Sequence, residues 1–139
     1  MKVLIGTNIV IDALQSRENF VKDADLVVLR AFEYEGYIVS TSVTDIYYIQ
    51  HKFSIIKKSP RATLKMFFKL FNIIDTTETD CRNALWSSIP DFEYAVLVES
   101  VKRNNIDCIV TRNNKNFKNS NMPVCTPTEF LRILKIKLI

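Results

Sequence analysis

The chemistry open to this chain rests on oxygen ligands rather than on sulfur or imidazole. Its three cysteines, Cys81, Cys108 and Cys125, show no Cys-x-x-Cys spacing, and the single histidine, His51, cannot complete a zinc cluster with them. Cys108 lies in the apolar run Asp-Cys-Ile-Val and reads as a small buried hydrophobe; His51 reads as a helix-surface residue. Two carboxylates, Asp45 and Asp91, stand instead among hydroxyls and amides: Thr7 and Asn8, Ser42 and Thr44, then Thr111, Arg112, Asn113, Asn114 and Asn116. Tyr94 follows Asp91 by one helical turn, on the same face. Carboxylates brought together repel one another unless a hard cation sits between them. Mg²⁺ or Mn²⁺ prefers such oxygen ligands completed by water, and an ion held so lowers the pKa of a water and neutralises charge on a phosphodiester. A structural explanation stands beside this one. Both acids fall in the first turn of expected helices, where an Asp is stabilising simply by facing the helix dipole.

The elements that must position these groups alternate. Lys2 to Ile5 is a short apolar run that ends at Gly6-Thr7-Asn8, as a strand buried on both faces does before a turn and helix. Similar runs cover 37–41, 71–74 and 106–111. Between them the apolar spacing is helical. Ala24, Val27, Val28, Ala31 and Phe32 recur at three and four residues; Ser42 is placed to cap a helix that runs through Tyr48, Ile49 and Phe53. Ser59-Pro60 opens a helix with Leu64, Phe67, Phe68 and Phe71 as its inner stripe, and Pro90 opens another through Val101. Thr126-Pro127-Thr128-Glu129 is a capping box that starts a terminal helix. Strands separated by helices predict an α/β fold, a parallel sheet sandwiched by helices. In such sheets ligands bind beyond the carboxyl ends of the strands, where the polar residues named above fall.

Length and composition agree. With 139 residues, 47% apolar and 24% charged, the chain has the makeup of one globular domain spanning 1–139. No uncharged apolar run reaches the roughly 18 residues of a membrane span, and no leader-cleavage pattern follows the N-terminus, so a cytoplasmic protein is expected. Nineteen basic against 15 acidic residues give a net charge of +4, which permits nucleic-acid binding without demonstrating it.

Five segments in order carry a resemblance. Met-Lys-Val-Leu-Ile-Gly-Thr-Asn-Ile-Val-Ile-Asp at the start, Ser-Val-Thr-Asp-Ile-Tyr-Tyr-Ile at 42–49, Pro-Asp-Phe-Glu-Tyr-Ala-Val-Leu at 90–97, Ile-Val-Thr-Arg-Asn-Asn-Lys-Asn-Phe at 109–117 and Thr-Pro-Thr-Glu-Phe-Leu at 126–131 are similar to landmarks of PIN domains, in the branch of VapC-like toxins. The resemblance implies a Mg²⁺- or Mn²⁺-dependent endoribonuclease, the toxin of a toxin and antitoxin pair, commonly a homodimer. It also implies an acidic cluster, of which Asp45 and Asp91 are kept and would be the metal ligands. Gly6, Tyr94 and Asn116 stand where the family has aspartates. Activity is therefore expected to be reduced or absent, and metal binding weak. The alternative is a catalytically silent module that binds RNA or an antitoxin without cleavage.

Thr7, Asn8, Thr111, Arg112, Asn113 and Lys115 are the expected substrate contacts, with Arg112 and Lys115 flanking the scissile phosphate. Arg61, Lys65 and Lys69, preceded by Lys57 and Lys58, form a basic ridge that is either an RNA contact or an ordinary solvated helix face. Tyr47 and Tyr48 are candidates for stacking on bases.

Overall fold

The structure, a computed structural model, describes residues 1–15, 20–53 and 59–137. Five parallel strands form one sheet: β1 (Lys2–Ile5), β2 (Glu35–Val39), β3 (Asn72–Ile74), β4 (Cys108–Val110) and β5 (Val124–Cys125). Their spatial order is β3-β2-β1-β4-β5. Leu4 is in register with Tyr37 on one side and Ile109 on the other, so the strands expected at the centre are the central ones. Among the described residues there are seven α-helices, six before the last strand and one after it: α1 (Thr7–Gln15), α2 (Val21–Leu29), α3 (Ser40–Phe53), α4 (Pro60–Leu70), α5 (Glu78–Ala84), α6 (Phe92–Arg103) and α7 (Pro127–Lys137). Among the described residues no helix is long and apolar enough to cross a membrane.

Strand alternation divides the core in two. Val3 and Ile5 of β1 point to one face, where Ile9 and Val10 of α1, Val27 of α2, Ile46 of α3, Phe67 of α4 and Phe130 of α7 cover them. Leu4, between them in sequence, points to the other face and packs with Ala84 of α5 and Ala95, Val98 and Val101 of α6. Both faces of β1 are thus dry, which is why it reads as an unbroken apolar run. Two residues expected in apolar stripes lie outside the core. Phe32 is 86% exposed because α2 stops at Leu29, and Phe68 is 43% exposed on the outer side of α4 while Phe67 and Phe71 are buried. Ser42 is not a helix cap: α3 begins at Ser40, and Ser42 is buried inside its first turn.

Two elements escaped the sequence reading. β5 is only two residues long, and α5 only seven. α5 did carry a signal: Thr77 and Asp80 form a capping box, the Thr77 Oγ1 accepting from the Asp80 N–H at 3.2 Å and the Thr77 N–H donating to Asp80 Oδ2 at 3.0 Å. Asp80 also ties α5 to α6. It is buried, accepts from Ser100 Oγ at 2.9 Å and pairs with the Arg103 guanidinium at 3.0 Å. Burial works to raise its pKa, but the hydrogen bonds from Arg103, Thr77 and Ser100 together outweigh it and hold the carboxyl down at about 2, against 3.8 for a free Asp. A depressed pKa contributes stability that is complete above the unfolded value and lost as pH falls from about 4 towards about 2. The loss expected is on the order of 2 kcal/mol, and urea titrations across that pH range should show it in the parent and not in Asp80→Asn.

Gly36 in β2 is required by packing. A Cβ there would lie 2.5 Å from Cδ1 and 2.8 Å from Cε1 of Phe71, a ring that is itself only 2% exposed. Gly36→Ala is expected to lower stability by about 1–3 kcal/mol through overpacking, measurable as a reduced denaturation midpoint with an unchanged slope.

Candidate functional site

The chain runs from β1 through β2 to β3 on one side, then crosses by α5 and α6 to β4 on the other side of β1. The reversal leaves a gap beyond the carboxyl ends of β1 and β4, the place where open parallel sheets bind ligands. A cleft of about 570 Å³ opens there. Gly6, Thr7, Asn8 and Ile11 form its wall from the turn after β1 and from α1; Val39, Thr41, Ser42 and Asp45 come from β2 and α3. Glu93, Tyr94, Val96 and Leu97 come from α6, and Thr111, Asn113 and Phe117 from the segment after β4. Thr76 and Cys81 close the side near α5.

The turn that starts this wall is pinned from both neighbours. The Gly6 N–H donates to the Val110 carbonyl at 2.9 Å, extending the β1–β4 pairing by one residue. A Cβ at Gly6 would sit 3.0 Å from that same carbonyl oxygen and 3.2 Å from Asn8 Oδ1, so the position is tight for any side chain. Asn8 Nδ2 donates to Thr111 Oγ1 at 3.3 Å, and the hydroxyls of Thr7 and Ser42 are hydrogen-bonded to each other. The polar floor of the cleft is thereby fixed between β1, α3 and β4. Tyr94 lies over it with its ring edge-on to Phe117, the centroids 4.8 Å apart.

The two acids singled out from sequence separate here. Asp45 is exposed and lines the cleft from α3, whose first turn contains no acidic residue, so the helix dipole does not account for its position. Asp91 is the N-cap of α6, its Oδ1 accepting from the Tyr94 N–H at 3.2 Å, and it does not line the cleft. Helix capping explains Asp91. The second carboxylate on the cleft wall is Glu93, two residues further on. Its only mark in the sequence is spacing: Glu93 and Leu97 share a face at i,i+4, and both line the cleft.

After β4 the expected substrate contacts divide as well. Thr111 and Asn113 line the cleft, and Arg112 between them points the other way. Its Nε lies 2.6 Å from Asp12 Oδ2 and its Nη2 3.2 Å from Oδ1, a bidentate pair with a carboxylate that is fully buried in α1. The guanidinium also sits over the Phe20 ring, 4.2 Å from its centroid. Arg112 therefore belongs to a second cavity, of about 630 Å³, at the start of α7, and not to the cleft where it was expected. A charged residue inside the apolar stripe Ile9-Val10-Ile11-Asp12 was the available sign of such a partner. Lys115 and Asn116 are exposed on a short 3-10 turn (Asn114–Phe117) outside the cleft wall. Lys57 and Lys58 lie outside the described residues.

As a donor set, the cleft offers the carboxylates of Asp45 and Glu93 with surrounding hydroxyls and amides. Two carboxylates completed by water suit a hard divalent ion. Among the described residues, however, no group of three His, Cys, Asp or Glu is placed to hold a metal.

A family model for the PIN domain matches residues 2–115. The chain belongs to the PIN domain family. Among solved structures, this PIN domain superposes on a toxin–antitoxin complex from Klebsiella pneumoniae with a TM-score of 0.68 at 21% identity, covering 90% of this chain and 97% of that one. VapBC2 from Rickettsia felis, bound to a DNA fragment from its promoter, gives 0.63 at 20% identity over 91% and 98%. FitAcB from Neisseria gonorrhoeae gives 0.66 at 13% identity over 91% and 98%. These likenesses establish the shared fold. No curated protein matches the chain in sequence.

Proposed function

We propose that this PIN domain is of the metal-dependent endoribonuclease type, the toxin of a toxin–antitoxin pair, with a degenerate acidic site and reduced or absent activity. The observation that carries the reading is the make-up of the cleft. It lies at the switch point of the sheet and keeps two carboxylates, Asp45 and Glu93, while Gly6 and Tyr94 occupy wall positions where the resemblance calls for aspartate. Asp45 and Glu93 would hold a Mg²⁺ or Mn²⁺ ion, and such an ion supplies an activated water and charge neutralisation at the scissile phosphate. Thr7, Asn8, Thr111 and Asn113 would orient the phosphate through hydroxyl and amide hydrogen bonds. The structural neighbours, which include a toxin–antitoxin complex and a VapBC assembly bound to promoter DNA, support an antitoxin as the protein partner. A cytoplasmic homodimer that acts on RNA belongs to the same reading.

The test is cleavage of a fluorescent RNA in Mg²⁺ or Mn²⁺, with chelator as control. Weak, chelator-sensitive cleavage that Asp45→Asn and Glu93→Gln each abolish is the expected result. Calorimetry should find no tight stoichiometric Mg²⁺ binding, since the cluster has lost the carboxylates that would attract a hard cation. The absence of any cleavage, with the antitoxin partner still bound, would favour the second reading: a silent module that sequesters its partner. That reading is favoured by the non-acidic residues at 6, 94 and 116.

A further inference from the structure

The positive charge of the chain is concentrated in one segment. Between Ile46 and Ile74 there are six of the 19 Lys and Arg and none of the 15 Asp and Glu, so the rest of the chain, with 13 basic and 15 acidic residues, is slightly negative. That segment includes α3 beyond Asp45 and all of α4, two helices packed against each other. Arg61, Lys65 and Lys69 are all exposed on α4, spaced by four residues on one face.

On α3, the exposed face runs outward from the cleft. Thr41 and Asp45 line the cleft; Tyr48, then His51 and Lys52, follow at successive turns, each step rising roughly 4.5–6 Å along the axis. Tyr48 is 66% exposed, an unusual position for a large ring with no role in the core. It is held in place all the same. The Tyr47 ring meets it edge-on with centroids 5.3 Å apart, and Tyr47 in turn stacks on His51 at 6.3 Å with an interplanar angle of 11°.

A flat, presented aromatic face one turn from the cleft, followed by cations in an acid-free segment of the chain, matches an unpaired polynucleotide. Bases stack on the ring and phosphates follow the cations. A duplex would not use the ring, because its bases are already stacked. An acidic protein partner would use the cations and have no need of the ring. We infer that the α3–α4 surface is a binding track for single-stranded RNA, with Tyr48 stacking on a base next to the cleft and Lys52, Arg61, Lys65 and Lys69 contacting phosphates. Tyr48 is a substrate-positioning residue in this assignment, which rests on the proposed RNA-directed function.

The experiment measures binding without cleavage. Fluorescence anisotropy with the full chain in EDTA uses three probes: a labelled single-stranded 12-nucleotide RNA, the same RNA as a blunt duplex, and poly-glutamate. The expected result is preference for the single strand, a loss of about tenfold for Tyr48→Ala, near-parent binding for Tyr48→Phe, and a shallower salt dependence for the double variant Lys65→Glu, Lys69→Glu. Because Tyr48 is largely exposed, its replacement leaves folding intact, and the phenylalanine variant separates stacking from any effect of the hydroxyl. Equal binding of single strand and duplex, or no effect of Tyr48→Ala, would overturn the assignment. Poly-glutamate bound as tightly as RNA would overturn it in favour of an acidic protein partner. A chain that cleaves RNA while its binding ignores these variants sinks the track and leaves the nuclease reading standing; one that binds through Tyr48 and never cleaves does the reverse.

Discussion

Replacing Gly6, Tyr94 and Asn116 together by aspartate is expected to raise metal-dependent RNA cleavage by about a hundredfold or more, whereas any one replacement alone recovers little. A metal-ion site works as a unit: the ion must be held, the water oriented and the phosphate positioned together, so repairs of a site broken in several places are strongly non-additive. The structure ranks the three positions. Residues 6 and 94 line the cleft beside Asp45 and Glu93, while Asn116 is exposed outside its wall, so the pair Gly6→Asp, Tyr94→Asp should carry most of the gain.

The replacements differ in structural cost too. Gly6→Asp must displace the Val110 carbonyl, 3.0 Å from the new Cβ, by a few tenths of an ångström, and Tyr94→Asp removes a ring packed against Phe117. Asn116→Asp, at the surface, should cost almost nothing. Circular dichroism and a thermal melt therefore precede the cleavage assay, and the gain must vanish with chelator and with Asp45→Asn. If the natural chain already cleaves RNA at a rate near that of the triple variant, with the same dependence on Asp45, then Asp45 and Glu93 suffice and the site is not degenerate.

Arg112→Ala should be the most destabilising single change at a polar residue, costing about 3–5 kcal/mol. Asp12 is fully buried, and its carboxylate is gripped by both Nε and Nη2 of Arg112. Removing the guanidinium takes two charge-assisted hydrogen bonds from that buried carboxylate, and it also removes the cation stacked on Phe20. Urea denaturation should report the loss, with a melting midpoint lowered by roughly 10 °C or more. Replacing both partners by apolar residues, Asp12→Leu with Arg112→Met, should restore most of the stability, because the desolvation cost disappears with the charges. An Arg112→Ala protein within 1 kcal/mol of the parent would show that the pair contributes little to the fold.

The sequence by itself determined the architecture. Apolar runs such as Lys2–Ile5 and Cys108–Val110 could only be strands covered on both sides, and helices of amphipathic spacing between them forced a parallel order. That order placed Gly6, Thr7, Asn8, Asp45, Thr111 and Asn113 at one crevice, where the structure has them. The two-residue β5 and the shortest helix, α5, were not legible from apolar spacing, because neither is long enough to show a period; only the Thr77–Asp80 capping box marked α5.

What the tertiary structure decided was direction. Successive side chains after a strand point to opposite sides, so Thr111 and Asn113 enter the cleft while Arg112 turns to Asp12, a hundred residues away in the chain. At the start of α6 the outcome turned on a helix cap. Asp91 gives its oxygen to the Tyr94 N–H, and Glu93, inside the first turn, faces the cleft in its place. Spacing supplies the alternation but not which side faces the cleft, because a charged side chain takes whichever direction offers a partner in space, and that partner is known only once the helices have packed.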